Sequence, residues 1–259
     1  MKTQNFFLSK IRLLGAFCLA SLSVLITGCV TDDAFTYDKS VAEEGRQSAP
    51  TFLSTEDPNT IWDTIQTAWD LSEHMDYLPI VIYDDLMNPS VFQSHGTSSW
   101  SIAVRVEQTK RIFNYDSRKD KKDQSKNYAD LNAMVLELQD TREQEDAYAS
   151  AVLYGVEQDT FAALCNHYSQ HSLVPVVISK QIYGNTVYSL GFMFSVTNPS
   201  LLTPQDALPE QKRFSDIWNA INSNEVIELY GKDFPADYIN TTVFANGETI
   251  NSLIPPANQ

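Results

Sequence analysis

Two apolar runs, Val174 to Ile182 and Thr186 to Val196, flank the turn residues Tyr183-Gly184-Asn185. A Gly-Asn pair between such runs specifies a tight antiparallel hairpin, because glycine reaches the positive φ that a two-strand reversal needs. The second arm carries Val187, Leu190, Phe192, Met193, Phe194 and Val196 on both of its faces, so it reads as a central strand with neighbours on either side. A chain holding this hairpin must build a sheet around it.

The residues before the hairpin supply further elements. Trp100, Ile102, Val104 and Val106 alternate with Ser101, Ala103 and Arg105, a period of two that predicts a strand over 99 to 107 with one wet face. Leu78 to Tyr83 suits a short buried strand. Asp57-Pro58 opens a helix over 58 to 75, with Trp62, Ile65 and Trp69 directed to the core. From 127 to 171 the pattern reads as two helices broken near Asp140 to Arg142, and Ala147, Ala151 and Gly155 form a smooth ridge where another helix can approach. After the hairpin, Phe214, Ile217, Trp218 and Ile221 mark a helix over 209 to 221. Glu225 to Tyr230 reads as a strand, Asn246-Gly247 as a turn, and residues 255 to 259 as an unstructured tail. The expected fold class is α+β: an antiparallel sheet built around the central hairpin, with helices packed mainly on one face.

The N-terminus has a different character. Lys2, Lys10 and Arg12 are its only charges, an uncharged run follows from Leu13 to Ile26, and Gly28-Cys29 closes it. Those 14 residues make a helix of about 21 Å against a hydrocarbon core of about 30 Å, short for a permanent span but suited to a secretory signal. Leu25-Ile26-Thr27-Gly28-Cys29 resembles the lipobox of bacterial lipoproteins. That resemblance covers the leader alone. It implies cleavage after residue 28 and three palmitate-type acyl chains on Cys29, each buried CH₂ contributing about 0.8 kcal/mol to attachment. The family's sorting rule, with Val30 in place of the aspartate that retains proteins in the inner membrane, implies the outer membrane. Signal peptide 1–28, lipidated cysteine and flexible acidic linker 29–57, and a single globular domain 58–259 are the expected divisions. The linker reading rests on Asp32, Asp33, Asp38, Glu43, Glu44, Glu56 and Asp57, and as a coil it would hold the domain roughly 30 Å from its anchor.

Loss of the leader takes the net charge from −15 to −18. Such acidity argues against nucleic acid or anionic lipid as main partner and favours a basic protein. The positive charge is segregated: Arg105, Lys110, Arg111, Arg118, Lys119, Lys121, Lys122 and Lys126 fall within 105 to 126, which reads as a solvated connection or, at Lys119, Lys121 and Lys122, as a contact for phosphate or an acidic surface. Of three cysteines, Cys18 leaves with the leader, Cys29 takes the lipid, and Cys165 is left as a lone thiol suited to the core.

Two constellations carry possible chemistry. His167 and His171 stand four apart, so on a helix they would share a face and could reach one Zn²⁺, although Tyr168 occupies the place where a metalloprotease carries glutamate. Asp84-Asp85 ends a strand, where carboxylates bind metal, exchange protons or cap the next turn. His95-Gly96-Thr97-Ser98 sets a histidine beside hydroxyls without a triad pattern. No nucleophile elbow, phosphate loop or dinucleotide fingerprint is present, and no cofactor is expected. The leading expectation is an outer-membrane-anchored periplasmic accessory that binds another envelope protein in a secretion, pilus or flagellar assembly. A cell-wall or periplasmic hydrolase and an acidic inhibitor or immunity lipoprotein are the competing readings, and self-association stays open.

Overall fold

The structure, a computed structural model, describes residues 36–68, 77–116, 128–136, 147–205 and 207–253. The hairpin lies where the turn residues put it. Strands β7 (Ser172–Ile182) and β8 (Asn185–Ser195) pair antiparallel from Ser172↔Ser195 to Ile182↔Asn185. Tyr183 and Gly184, at φ 50 and 82, form the two-residue reversal, so Asn185 belongs to the strand rather than the turn.

Around this hairpin the sheet is mostly antiparallel, and its order closes on itself. β8 pairs in parallel with β2 (Leu78–Ile82), and β2 runs antiparallel to β6 (Tyr148–Val156). β6 pairs along its whole length with β3 (Ser98–Glu107), and the far end of β3 returns to β7 through Arg105↔Ser179 and Val106↔Ile178. The short β1 (Phe52–Leu53) pairs with the start of β7. Five strands thus form a ring, which leaves their ladder with few open edges. Ile80, Ile82, Val106, Val152, Val156, Leu173, Ile178 and Met193 are buried on these strands. The fold class is α+β, with the one parallel pair, β2 with β8, making this sheet mixed.

At Gln108, held at φ 50, the chain turns out of β3 into a second sheet. There β4 (Thr109–Tyr115) lies antiparallel to β5 (Tyr128–Val135), flanked by β10 (Thr242–Phe244) parallel to β4 and β9 (Leu208–Pro209) parallel to β5. Arg111 on β4 is fully buried. Its Nε donates to Thr242 Oγ1 at 2.6 Å, Nη2 to Tyr238 O at 2.6 Å and Thr241 Oγ1 at 2.9 Å, and Nη1 to Ser150 O. Its carbon lies 3.3 Å from the Tyr238 ring centroid, so this cation ties β4 to β6 and β10.

Several expectations change. Residues 127 to 171 hold β5, β6 and only one described helix, α4 (Gln158–His167), in place of two; residues 137–146 are outside the described set. The spacing of Ala147, Ala151 and Gly155 fits one face of a strand as well as a helical ridge, because four is a multiple of two. Tertiary packing selects the strand. A Cβ on Gly155 would come 2.5 Å from Trp100 Nε1 across the β3–β6 pair, so the small residue makes room for an indole. The expected linker is ordered from Thr36: its backbone exchanges two 2.7 Å hydrogen bonds with Tyr188, and Asp38 caps α1 (Lys39–Ser48) by accepting from Ser40 N at 2.9 Å. That helix lies along β7 and β8 with Ala42 buried.

Within the basic segment, Arg105 and Lys110 sit on strands and Arg111 is internal, while Lys119, Lys121 and Lys122 lie outside the described residues, as do Cys29, Trp69 and the tail.

The helix α2 (Pro58–Ala68) buries Trp62 and Ile65 as expected, with Ile61 beside them, and residues 69–75 of the expected helix lie outside the described residues. A short helix α3 (Pro89–Phe92) follows β2, and α5 (Gln211–Ile221) matches its expected face. Residues 225 to 230 are helical, within α6 (Asn224–Tyr230), where a strand was expected. Ser223 caps it by accepting from Val226 N at 3.2 Å, and Gly231 at φ 99 ends it, so a serine start and glycine stop outweigh the β-branched residues between them. Helix α7 (Phe234–Asn240) leads into β10.

Candidate functional site

The two constellations singled out in the sequence meet at one cavity. Where β2 ends, Asp84 caps the 3-10 turn Asp85–Met87 by accepting from Leu86 N at 3.2 Å. The same carboxylate is nearly inaccessible and takes two further donors, Tyr168 Oη at 3.0 Å and Arg213 Nη2 at 3.0 Å. Arg213, from α5, spends its other nitrogens likewise: Nη1 on Asp85, and Nε on Asp130 of β5 at 2.9 Å. One guanidinium therefore serves three carboxylates, the adjacent Asp84 and Asp85 and the distant Asp130. Burial works against the charge of Arg213, but Asp84, Asp130 and Asp85 together more than offset it and hold its pKa well above the ordinary value. Asp85 is pushed upward by burial and by the neighbouring Asp84, against the pull of Arg213.

Opposite this cluster, α4 ends at His167, and Tyr168 is its C-cap residue. His171 lies past the helix end, with its backbone N–H on Tyr168 O at 2.9 Å, so the two histidines do not share a helical face. The His171 ring packs edge-on against Tyr115 and Tyr168, with centroids 5.1 and 5.2 Å away. Only 6% of the residue is exposed, and its Nδ1 has no hydrogen-bond partner. Burial pushes its pKa down to about 4, so the ring is neutral at pH 7.

His167 instead meets His95, its Nδ1 lying 3.1 Å from His95 Nε2. Gly96, at φ +147, brings that loop against Thr160 of α4, whose hydroxyl accepts from Thr97 N at 3.1 Å and donates to Thr97 O at 2.9 Å. The hydrogen bonds assign the tautomers. Ser94 Oγ gives its single proton to Val91 O at 2.8 Å, so it accepts from His95 Nδ1 at 2.9 Å. His95 then accepts at Nε2 from His167 Nδ1. Burial and the neighbouring His167 both lower the pKa of His95.

The cavity between these groups has a volume of about 220 Å³, and Asp84, Asp130, His167, Gln170, His171 and Arg213 line it together with Tyr115 and Tyr168. Gln170 Oε1, like His171 Nδ1, is buried and without a partner. Among the described residues no group of three or more His, Cys, Asp or Glu side chains is placed to hold a metal ion. Cys165 is buried in α4, its thiol pushed up to about 12 by burial, in the core role expected of it.

Arg213, Asp130, Tyr115 and Gln170 are the members that sequence reasoning missed. Asp130 stood in a segment read as helix, and Arg213 was one positive charge on an expected amphipathic helix; nothing local marks either as a partner of Asp84.

No family model matches this chain, and no characterised protein of similar sequence was found. Among solved structures, a selenomethionine-labelled γ-glutamyl cyclotransferase specific to glutathione, from yeast, is similar over 63% of this chain and 83% of its own, at 12% identity and a TM-score of 0.36. A likeness of that degree carries neither fold nor activity across.

Proposed function

We propose that this protein is a lipid-anchored accessory of the outer membrane, attached through Cys29 with its domain on the periplasmic side, and that it engages a basic envelope protein in a secretion, pilus or flagellar type of assembly. The observation that carries the reading is the leader ending in Leu25-Ile26-Thr27-Gly28-Cys29. The net charge of −18 after cleavage supports a basic partner, since opposite charge accelerates encounter. No helix among the described residues is long and apolar enough to cross a membrane. Because ordered structure is already present at Thr36, only six residues, 30 to 35, lie between it and Cys29, and the seven steps reach at most about 25 Å. A partner of this domain would then sit close to the membrane surface.

Crosslinking in intact cells, followed by mass spectrometry of the outer-membrane fraction, tests the reading. Repeated capture of the components of one assembly, lost on Cys29→Ser together with membrane association, is the expected result. Membrane association unchanged in that variant would overturn the anchor, and capture insensitive to it would overturn the tethering role.

A further inference from the structure

We propose that His95 and His167 form a two-imidazole site for a divalent late first-row metal ion, Cu²⁺ by preference, with water completing the coordination. The inference goes beyond the proposed anchoring and holds whether or not Cys29 is acylated.

Spacing comes first. His95 Nε2 and His167 Nδ1 stand 3.1 Å apart, with the rings nearly perpendicular and their centroids 4.5 Å apart. Two imidazole nitrogens bound to one ion at about 2.0–2.1 Å are separated by about 2.9 Å at a right angle and about 3.3 Å at the tetrahedral angle. The observed distance falls between these, so an ion needs a tilt of the rings and no movement of the backbone. His167 is exposed, where the ring torsion of a histidine turns easily and solvent reaches the remaining coordination positions. The approach is also built by the fold, since the two residues lie 72 apart in the chain. Thr97, two residues after His95, exchanges two hydrogen bonds with Thr160, which is two turns before His167 on the same face of α4. Gly96 lies so close that a Cβ there would strike the Thr160 hydroxyl.

The surroundings of His95 are those of a metal ligand. Its Nδ1 donates to Ser94 Oγ at 2.9 Å, and Ser94 passes its own proton to Val91 O at 2.8 Å, so the ring is oriented with the Nε2 lone pair toward His167. The lowered pKa of His95 keeps that nitrogen unprotonated at neutral pH, and Asp84 and Asp85 act on the ring in the direction that favours positive charge there. A ligating His167 carries its proton on Nε2, so the ring–ring hydrogen bond gives way to two nitrogen–metal bonds by a change of tautomer, with no proton lost from a neutral pair. Among the described residues no third His, Cys, Asp or Glu joins the two, which leaves the other positions to water. Two imidazoles with open positions suit Cu²⁺, then Ni²⁺ and Zn²⁺, in the Irving–Williams order, while Mg²⁺ and Ca²⁺ require oxygen ligands.

Equilibrium dialysis of the full-length chain in detergent against Cu²⁺, Zn²⁺ or Mg²⁺ at neutral pH, with bound metal counted by mass spectrometry, tests the site. Saturable binding of one Cu²⁺ per chain is expected, with Zn²⁺ weaker by at least about tenfold and Mg²⁺ weaker still. His95→Ala and His167→Ala should each weaken Cu²⁺ by at least about tenfold; the second, at an exposed position, reports even if the first fails to fold. His74→Ala and His171→Ala, which remove the other two histidines of the chain, should leave the affinity unchanged. Absence of saturable Cu²⁺ binding, wild-type affinity in His167→Ala, an equal loss in His74→Ala or His171→Ala, or Zn²⁺ or Mg²⁺ bound as tightly as Cu²⁺ would each overturn the proposal.

Discussion

Lowering the pH should destabilise this protein through His171 in a way that His171→Phe abolishes. In the folded chain burial holds the imidazole pKa at about 4, against an ordinary value of 6.5. The unfolded chain therefore binds the proton first as pH falls, and stability declines with it. The contribution is fully present above pH 6.5 and is lost as pH falls through 4. At about 1.36 kcal/mol per pKa unit the whole transition is worth about 3 kcal/mol, or about 6–12 °C in Tm for a domain of this size. Nearby Asp130 favours the charged form while His167 and Arg213 oppose it. Phenylalanine keeps a flat ring between Tyr115 and Tyr168 and removes the unpartnered Nδ1. Urea unfolding of wild type and variant in steps from pH 7 to 4 isolates the effect, because the carboxylates common to both chains largely cancel in the difference. The gap should move in favour of the variant by about 3 kcal/mol. A gap constant to within about 0.5 kcal/mol over that range would refute the reasoning, because His171 would then titrate alike in both states.

Further outcomes follow from the same contacts. Arg213→Met leaves Asp84, Asp85 and Asp130 without their cation and should cost about 3 kcal/mol at pH 7, with part of the loss recovered near pH 5 as the crowded carboxylates take up protons; thermal melts at both values check it. Arg111→Met removes four donated hydrogen bonds from the junction of the two sheets and should cost at least about 3 kcal/mol, whereas Arg105→Met, at the exposed cation over Tyr148, should cost under about 1 kcal/mol; urea midpoints give the comparison. Gly155→Ala drives a methyl into the Trp100 indole and should cost about 1–3 kcal/mol, and a double-mutant cycle with Trp100→Leu should show much of that loss relieved.

What the sequence determined by itself was local. Gly184 between two apolar runs dictated a reversal because few residues accept its φ, and period two from Trp100 to Val106 dictated a strand because successive side chains must face opposite ways. The apolar side of α5 followed from Phe214, Ile217 and Ile221 in the same manner. Where local signals conflicted or were shared by two structures, tertiary contacts decided. Ala151 and Gly155 suit a helix ridge and a strand face alike, and the Trp100 indole across from Gly155 selects the strand. The acidic stretch holding α1 looked like a tether because its stability comes from lying on β7 and β8 rather than from its own composition. The cavity was the least legible feature. Asp84 and the histidine segment were visible as separate possibilities, but Arg213, Asp130 and Tyr115 join them only after the five-strand ring has closed, and a single charge or ring carries no local mark of a partner more than fifty residues away.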